Sequence, residues 1–195
     1  MKKLVIVFTL MAFCIVPAAV FAANDATDKG SVVFDLGSVL GVSFYTGDIE
    51  RTDISLGTEF DGFGFQPSMN VSYFLIDNLS LGGTIAFVSI KPKGFSAETW
   101  LRFGPEVNYY LPLKDDMLVD VKGYISFNSY KVPGVDALTQ LAFGGGGAIM
   151  YMVKPAVGLY GGVDLTLGLD ARIGGTNVGG SYFGIGIGGG FKIFI

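Results

Sequence analysis

Residues 182–195 read Y-F-G-I-G-I-G-G-G-F-K-I-F-I, and they alternate apolar residues with small or polar ones. The odd-numbered positions hold Phe183, Ile185, Ile187, Gly189, Phe191, Ile193 and Ile195. The even-numbered positions are mostly glycine, with Lys192 and Phe194 near the end. A period of two over this length predicts one β-strand with one apolar face. Strands of soluble proteins usually have about five or six residues, so this longer strand is typical of a transmembrane β-barrel.

The same alternation recurs seven more times along the chain. The predicted strands span residues 31–45, 62–74, 79–90, 96–111, 117–128, 138–153 and 156–170. One face of each strand lacks charged residues, and a charge facing lipid at the bilayer centre would cost about 2–4 kcal/mol. Short turns at 76–78, 112–116 and 154–155 alternate with longer loops at 46–61, 91–95, 129–137 and 171–181. The pattern predicts an all-β fold, an eight-stranded antiparallel up-and-down transmembrane β-barrel over residues 31–195.

The start of the chain predicts export. Lys2 and Lys3 precede an apolar run at 4–16, and V-F-A at 20–22 is a small-x-small cleavage signal, so residues 1–22 are predicted to be a cleaved signal peptide. Residues 23–30 are expected to form a short periplasmic segment before the barrel. The single cysteine, Cys14, lies inside the signal, which leaves the mature chain without a thiol. We expect the mature chain in the outer membrane of a Gram-negative-type envelope.

The charge of the mature chain bears on its partners. Removing Lys2 and Lys3 leaves 11 of the 13 basic residues against 17 acidic ones, a net charge of −6. A chain without a basic patch cannot neutralise phosphates, so no nucleic acid is expected as a partner. The expected partners are outer-membrane lipids and, during insertion, the barrel-assembly machinery. We expect the protein to be a monomer.

A family resemblance rests on one predicted hairpin. Residues 67–82, P-S-M-N-V-S-Y-F-L-I-D-N-L-S-L-G, resemble the P-x-x-x-x-x-Y-F-h-x-D-N-L-x-L-G hairpin of small porin-like outer-membrane β-barrel domain proteins. The D-N pair falls in the predicted tight turn, and the signal followed by eight strands extends the resemblance over nearly the whole chain. Ser72 stands where the hairpin usually has glycine, and Ile195 ends the chain where phenylalanine is common. The resemblance implies an outer-membrane location and implies no reaction.

The composition argues against enzymatic chemistry. The chain contains no histidine, which removes the usual general base near neutral pH and the histidine ligands of metal sites. Gly184, Gly186 and Gly189 match a dinucleotide-binding pattern by letter, but that pattern requires a strand that feeds a helix. The acidic residues of the first loop and of the turn at 115–116 lack the spacing of a calcium loop. We therefore predict no enzyme, no cofactor and no metal.

The inward faces of the predicted strands carry the charged residues. These side chains could pair and fill the lumen, which gives a structural or surface-interaction role. Alternatively, they could line a narrow porin-like channel that passes small solutes, hydrophobic ones included, with a lateral exit through the wall. The interior of an eight-stranded barrel is only wide enough for side chains to fill it, which favours filling. A secreted soluble barrel that binds a lipophile would need the opposite faces. The predicted lumen residues are Asp35, Glu98, Trp100, Arg102, Glu106, Asp120, Lys122, Tyr124, Asp164 and Lys192.

The closing seam between the last and first strands is predicted to be hollow. Its inward positions are glycines, and they face the bulky Trp100, Arg102 and Glu106 from across the lumen. Side chains of the fourth and fifth strands are therefore expected to fill the hollow. The seam glycines are Gly37, Gly41, Gly184, Gly186, Gly188 and Gly190.

Aromatic residues gather near the turn ends of the predicted strands. An interfacial girdle of aromatic rings is expected at that height in a transmembrane barrel. Phe194 is also expected to face inward in the register of its strand. The predicted girdle residues are Phe34, Tyr73, Phe74, Tyr109, Tyr110, Tyr151 and Phe194.

Overall fold

The computed structural model of the protein describes residues 26–48, 51–56, 59–61, 64–66, 68–90 and 98–195. The predicted signal peptide at 1–22 and the predicted loop at 91–95 lie outside these residues. Among the described residues, no helix has both the length and the apolar character needed to cross a membrane. The strands are β1 (Val32–Gly47), β2 (Arg51–Leu56), β3 (Glu59–Asp61), β4 (Gly64–Gln66), β5 (Ser68–Ile76), β6 (Leu79–Ile90), β7 (Glu98–Lys114), β8 (Met117–Lys131), β9 (Leu138–Lys154), β10 (Val157–Gly168), β11 (Ala171–Ile173), β12 (Thr176–Gly179) and β13 (Tyr182–Phe194).

Eight of these strands form a closed antiparallel ring in the order β1, β5, β6, β7, β8, β9, β10 and β13. The last strand closes the ring, because β13 pairs with β10 along one edge and with β1 along the other. Tyr182 lies at the end of both ladders, opposite Gly168 on one side and Gly47 on the other. Closure removes the free edges that an open sheet would expose to lipid. The prediction of an eight-stranded antiparallel barrel is confirmed.

The second wall strand differs from its prediction. β5 begins at Ser68 rather than at residue 62, and it pairs with β1 only over residues 32–35. Residues 40–45 of β1 pair instead with β2, which lies within the predicted loop at 46–61. Pro67 precedes β5 in the sequence, and proline cannot donate a hydrogen bond to a strand ladder. The predicted loop at 171–181 likewise contains the β11–β12 hairpin.

The outer wall has the apolar face that the alternation predicts. Ile187 is 54 % exposed, whereas its neighbours on either side in β13 are glycines whose inward positions line the interior. The same pattern continues around the ring, and an apolar surface of this kind suits lipid rather than water. The exposed large side chains include Leu81, Ile85, Phe87, Phe103, Val107, Val121, Ile125, Leu141, Phe143, Ile149, Leu159, Val163, Leu165, Leu167, Phe183 and Ile185.

The predicted aromatic girdle is only partly correct. Tyr73, Tyr109 and Tyr151 are exposed on the outer wall. Phe74 and Tyr110 are fully buried inside the barrel instead. The reason is the strand period: consecutive residues of a β-strand point to opposite faces, so each Tyr73–Phe74 or Tyr109–Tyr110 pair contributes one ring to each side. Phe194 faces inward, as expected.

Candidate functional site

The turn end of the lumen is closed by an aromatic plug, which we define as Val33, Phe74, Tyr110, Met150 and Phe194. Each of these residues is at most 2 % exposed. The Phe74 and Tyr110 rings are 5.3 Å apart between centroids, and Tyr110 meets Phe194 edge to face at 6.0 Å. Dense apolar packing of this kind excludes water from the section of the lumen that it fills.

The segment before β1 covers the turn between β5 and β6. Thr27 Oγ1 donates to Asn78 Oδ1 at 2.7 Å, and the Asn78 backbone N–H donates to the Thr27 carbonyl at 2.8 Å. The Lys29 backbone N–H donates to Asp77 Oδ1 at 3.0 Å. Asn78 has a φ of 65°, a left-handed conformation that asparagine tolerates better than most residues. The D-N pair of the family-like hairpin therefore anchors the segment that precedes the barrel.

Directly inside the plug lies a layer of buried charges, the lysine layer, which comprises Lys192, Asp35, Asp120, Tyr110 and Tyr160. Lys192 Nζ lies 2.7 Å from Asp120 Oδ2 and 3.3 Å from Asp35 Oδ2. Lys192 Nζ also donates to the Tyr110 hydroxyl at 3.4 Å, and the Tyr160 hydroxyl donates to Asp35 Oδ1 at 3.2 Å. Both rings lie under the ammonium group, at 5.5 and 5.6 Å from Nζ to the centroids. The buried ammonium group of Lys192 is therefore surrounded by two carboxylates and two aromatic faces, the opposite charge that a cation inside the lumen needs.

A polar ladder follows on the β5–β6–β7 wall. Ser72 Oγ donates to Asn70 Oδ1 at 2.8 Å, and Asn70 Nδ2 donates to Thr84 Oγ1 at 3.2 Å. Thr84 Oγ1 in turn donates to Glu106 Oε2 at 3.4 Å. Glu106 is 7 % exposed. Over the described part of the chain, no lysine or arginine nitrogen lies within ion-pair distance of its carboxylate.

A second set of polar contacts crosses the lumen. Lys122 Nζ lies 3.1 Å from Asp164 Oδ1, and the Tyr124 and Thr166 hydroxyls are 2.6 Å apart. The Arg102 guanidinium and the Lys122 ammonium both lie over the Tyr124 ring, at 5.8 and 5.9 Å from its centroid. These contacts join β7, β8 and β10 across the lumen.

Between these walls and the closing seam lies a polar cavity of about 80 Å³, which we call the loop-side cavity. Four charged side chains line it, two cationic and two anionic: Arg102, Lys122, Glu106 and Asp164. Asn128 also lines it, is 1 % exposed, and has no hydrogen-bond partner for Oδ1 within the described residues. A second cavity of only about 10 Å³ lies between the loop-side cavity and the lysine layer. That volume is about what one water molecule needs.

The seam glycines stand where the sequence suggests a hollow. Gly41, Gly184, Gly186 and Gly188 line the loop-side cavity opposite the bulky side chains of β7 and β8. Gly190 lies between Ser38 and Tyr160 in the strand register, away from the cavity. Gly37 lies in β1, where the side-chain surroundings fall outside the described residues. The hollow is thus only partly filled, and the remaining space is the cavity.

Two of the predicted lumen residues lie at the loop side of the cavity. The Trp100 ring stacks on Tyr130 with centroids 4.1 Å apart, and the Tyr130 hydroxyl donates to Glu98 Oε2 at 3.0 Å. Trp100 pairs with Tyr130 in the register just as Arg102 pairs with Asn128 one step deeper. The Trp100–Tyr130 pair therefore forms the layer next to the cavity.

Sequence reasoning missed several side chains of the lumen. The sequence pattern predicts Tyr110 in the girdle, and it indicates no specific role for Tyr160, Thr166 or Asn128, although they share the inward face of their strands. One available signal was the placement of aromatic residues opposite glycines. The Tyr124 ring lies over Gly144 and the Tyr182 ring lies over Gly168, so that an added Cβ at either glycine would overlap the ring.

Metal-binding geometry is absent from the described residues. No group of three histidine, cysteine, aspartate or glutamate side chains converges there as a metal site would require.

Comparison with known proteins informs the fold. No protein-family model matches the chain, and no curated protein is significantly similar to it in sequence. Among solved structures, Neisserial surface protein A aligns with 84 % of this chain and 95 % of its own, with 15 % identity and a TM-score of 0.55. The N-terminal β-barrel domain of Pseudomonas aeruginosa OprF aligns with 86 % of this chain and 98 % of its own, with 9 % identity and a TM-score of 0.48. Ail, the attachment invasion locus protein of Yersinia pestis, aligns with 85 % and 99 %, with 9 % identity and a TM-score of 0.42.

Proposed function

We propose that this chain, which has the fold of the small eight-stranded outer-membrane β-barrels, is an outer-membrane protein with a structural or surface-interaction role and a lumen closed by its own side chains. The observation that carries the proposal is the lysine layer seated on the aromatic plug. Together they occupy the turn end of the lumen with paired charges and packed rings.

The outer wall supports the membrane location. Large apolar side chains are exposed around the ring, and burying them in lipid recovers about 25 cal/mol for each Å² removed from water. Lys122, Asp164, Lys192 and Asp35 lie inside the lumen instead, where they form ion pairs. A soluble barrel would present the opposite arrangement. Lipids of the outer membrane are therefore the first partners, and the barrel-assembly machinery is the proposed partner during insertion.

The contacts of the lysine layer support a closed lumen. Lys192 on β13 reaches Asp120 on β8 and Asp35 on β1, so the layer bridges non-adjacent parts of the wall. Moving Lys192 aside would leave two carboxylates buried without their cation, which costs several kcal/mol. Each passage of an ion through the lysine layer would require this free energy, and the aromatic plug would still block the lumen behind that layer.

The absence of histidine from the chain supports a role other than catalysis. Functional contacts are then left to the loops, as is common for barrels whose interior is filled. In the described part of these loops, Asp48 Oδ2 accepts hydrogen bonds from the Gly180 and Ser181 backbone N–H groups at 3.2 and 3.1 Å. The first and last loops are thereby tied into one surface. We propose that the protein acts as a monomer through this surface.

The second candidate is a narrow channel for small solutes, hydrophobic ones included. The loop-side cavity favours it, since space for a solute exists at that end of the lumen. An apolar notch on the outside of the wall, lined by Leu159, Ile187 and Phe191, lies directly behind this cavity. Gly41 and Gly188 line both spaces, so only one layer of backbone separates the polar cavity from lipid at that point. A hydrophobic solute with a lateral exit would leave through this part of the wall.

Single-channel recording in planar lipid bilayers tests the two candidates. The full chain, folded as judged by heat-modifiable gel migration, is expected to show no steady openings. Steady openings whose conductance changes in Arg102→Ala would overturn the closed-lumen proposal in favour of the channel. Asp115→Ala, in an exposed turn far from the cavity, is the matched control.

A further inference from the structure

The outer wall changes from apolar to polar along one row of residues at the loop end of the barrel. Ser129 on β8 pairs with Thr139 on β9, and Thr139 pairs with Arg172 on β11. Closer to the turns, β9 exposes the apolar side chains of Leu141 and Phe143 on the same face. In a transmembrane barrel this change marks the height at which the hydrocarbon of the membrane ends and the lipid head groups begin.

Two cationic side chains lie on the outward face at this height. Lys131 follows Ser129 by two residues on β8, so the strand period places both on one face. Arg172 is exposed next to the buried Ala171 on β11, and its carbonyl oxygen accepts a hydrogen bond from Thr139 Oγ1 at 3.4 Å. Strands β8 and β11 flank β9 and are therefore about 10 Å apart. Side chains as long as those of lysine and arginine can contact one phosphate group across that distance.

The protein does not neutralise these two cations. Across the ranges that the structure describes, no carboxylate lies within ion-pair distance of Lys131 or Arg172. Asp170, the acidic residue closest to Arg172 in the sequence, accepts a hydrogen bond from Asn177 Nδ2 at 2.7 Å. The Asp136 carboxylate lies against the turn of the β11–β12 hairpin. Exposed cations at the height of the head groups attract anionic lipids, and this attraction needs charge that the protein has not already paired.

We propose that the head-group row, which we define as Ser129, Lys131, Thr139 and Arg172, binds an anionic membrane lipid whose head group ends in a phosphate. The phosphate accepts from the ammonium and guanidinium groups and from the two hydroxyls, which are the donors that recognise phosphate in proteins. The inference rests on the proposed membrane location and adds a lipid class to it.

The surroundings of the head-group row favour a lipid over other phosphates. The apolar wall lies directly beneath the row, and only a ligand with acyl chains removes that wall from water. A zwitterionic phosphocholine head group fits less well, because its own cation compensates the phosphate and competes with Lys131 and Arg172.

Energy transfer from Trp100 to labelled lipids tests the proposal. Trp100 is the only tryptophan of the chain and pairs with Tyr130, the residue that precedes Lys131 on β8. The full chain is folded into phosphatidylcholine vesicles that contain a trace of lipid with a dansyl-labelled acyl chain, either phosphatidic acid or phosphatidylcholine. We expect labelled phosphatidic acid to be enriched beside the barrel by at least about tenfold, since each cation near a membrane surface contributes up to about fivefold.

The outcomes separate the lipid preference from the membrane location. Equal transfer to the two labels overturns the lipid preference and leaves the location in place. Absence of transfer to either label overturns both. Inorganic phosphate added at constant ionic strength should not displace the labelled lipid; displacement would overturn the proposal in favour of a site for free phosphate.

Four variants locate the lipid. Lys131→Gln and Arg172→Gln each remove one cation and should lower the enrichment about threefold or more. Lys131→Arg keeps the charge and should retain the enrichment. Lys114→Gln removes an exposed lysine at the turn end of the barrel and is the matched control. Folding of all variants is checked by heat-modifiable migration. Unchanged enrichment in both folded glutamine variants of the row overturns the proposal, as does an equal loss in Lys114→Gln.

Discussion

Lys192 Nζ on β13 lies 2.7 Å from Asp120 Oδ2 on β8, and this ion pair joins two strands that are not neighbours in the barrel. Both side chains are 3 % exposed, so the pair is shielded from solvent. We expect Lys192→Met to lower the free energy of unfolding by about 3–5 kcal/mol, because Asp35 and Asp120 would stay buried without their cation. Urea titration in lipid vesicles, followed by gel mobility, measures the change. Lys114→Met at an exposed position should change it by less than about 0.5 kcal/mol; equal losses in the two variants would contradict the assignment.

The aromatic plug and the lysine layer have separable roles. Phe194→Ala removes a ring that is 2 % exposed and should cost about 3–5 kcal/mol of unfolding free energy through the cavity it leaves. Phe183→Ala removes a ring from the lipid face of the same strand and should cost less.

Planar-bilayer recordings of Phe194→Ala should still show no steady openings, since the lysine layer remains intact. Openings in this variant would assign closure of the lumen to the plug instead.

Two glycines of neighbouring strands should respond oppositely to the same substitution. A Cβ added at Gly104 in β7 would overlap the backbone carbonyl oxygen of Ile125, whereas one added at Gly123 in β8 meets no atom within 4 Å. We expect Gly104→Ala to destabilise by about 1–3 kcal/mol through overpacking. Gly123→Ala should be neutral or stabilise by about 0.4–1 kcal/mol, because it restricts the unfolded chain. Urea titration of the pair checks the difference, and a tolerated Gly104→Ala would show that the wall can widen there.

The lipid face should reject charge in a way that depends on height. Ile187 lies in the middle of β13 and is 54 % exposed. Ile187→Arg should cost about 2–4 kcal/mol in bilayers, since the cation would face hydrocarbon. Thr46→Arg, near the loop end of β1, should cost no more than about 1 kcal/mol. Vesicle unfolding experiments compare the two; similar costs would mean that the membrane does not cover the barrel at Ile187.

The tie between the first and last loops should be breakable without loss of the barrel. Asp48 Oδ2 also accepts from Ser181 Oγ at 3.0 Å, in addition to its two backbone donors. Asp48→Ala should speed proteolytic cleavage within residues 171–181 roughly fivefold, the effect of losing about 1 kcal/mol of local stability. Mass spectrometry of the fragments locates the cleavage site. The control Asp115→Ala should leave the cleavage rate unchanged. An unchanged rate in Asp48→Ala as well would mean that the Asp48 contacts do not stabilise the loop.

The period of two was sufficient to predict seven of the eight wall strands, since it depends only on neighbouring residues. The strand β6 matches its predicted range, Leu79–Ile90, and its apolar residues Leu81, Ile85 and Phe87 are exposed on the outer wall as predicted. The second wall strand was predicted less well, because two segments share its place beside β1. Which of them pairs at a given height depends on tertiary contacts and not on alternation.

The side chains that meet inside the lumen were harder to predict. The inward face of Lys192 follows from alternation, but its contact with Asp120 depends on the height of each residue in the barrel. That height is set by the register of every strand in between, including a bulge between Val157 and Gly158. The loop-side cavity could not be predicted because its size also depends on the register. The sequence indicates that small residues face large ones, but only the register determines how closely they approach.

Ring closure also constrains the kinetics of folding. The β1–β13 ladder pairs Val33 with Phe194, residues near opposite ends of the barrel sequence. Forming a contact between residues so far apart in the sequence first costs the entropy of closing a long loop, and only then stabilises the chain. Such contacts therefore slow folding. Until β13 has arrived, both β1 and β10 keep an unpaired edge that is prone to wrong association. The barrel therefore depends on protection of these two edges during the interval between synthesis of its first strand and docking of its last.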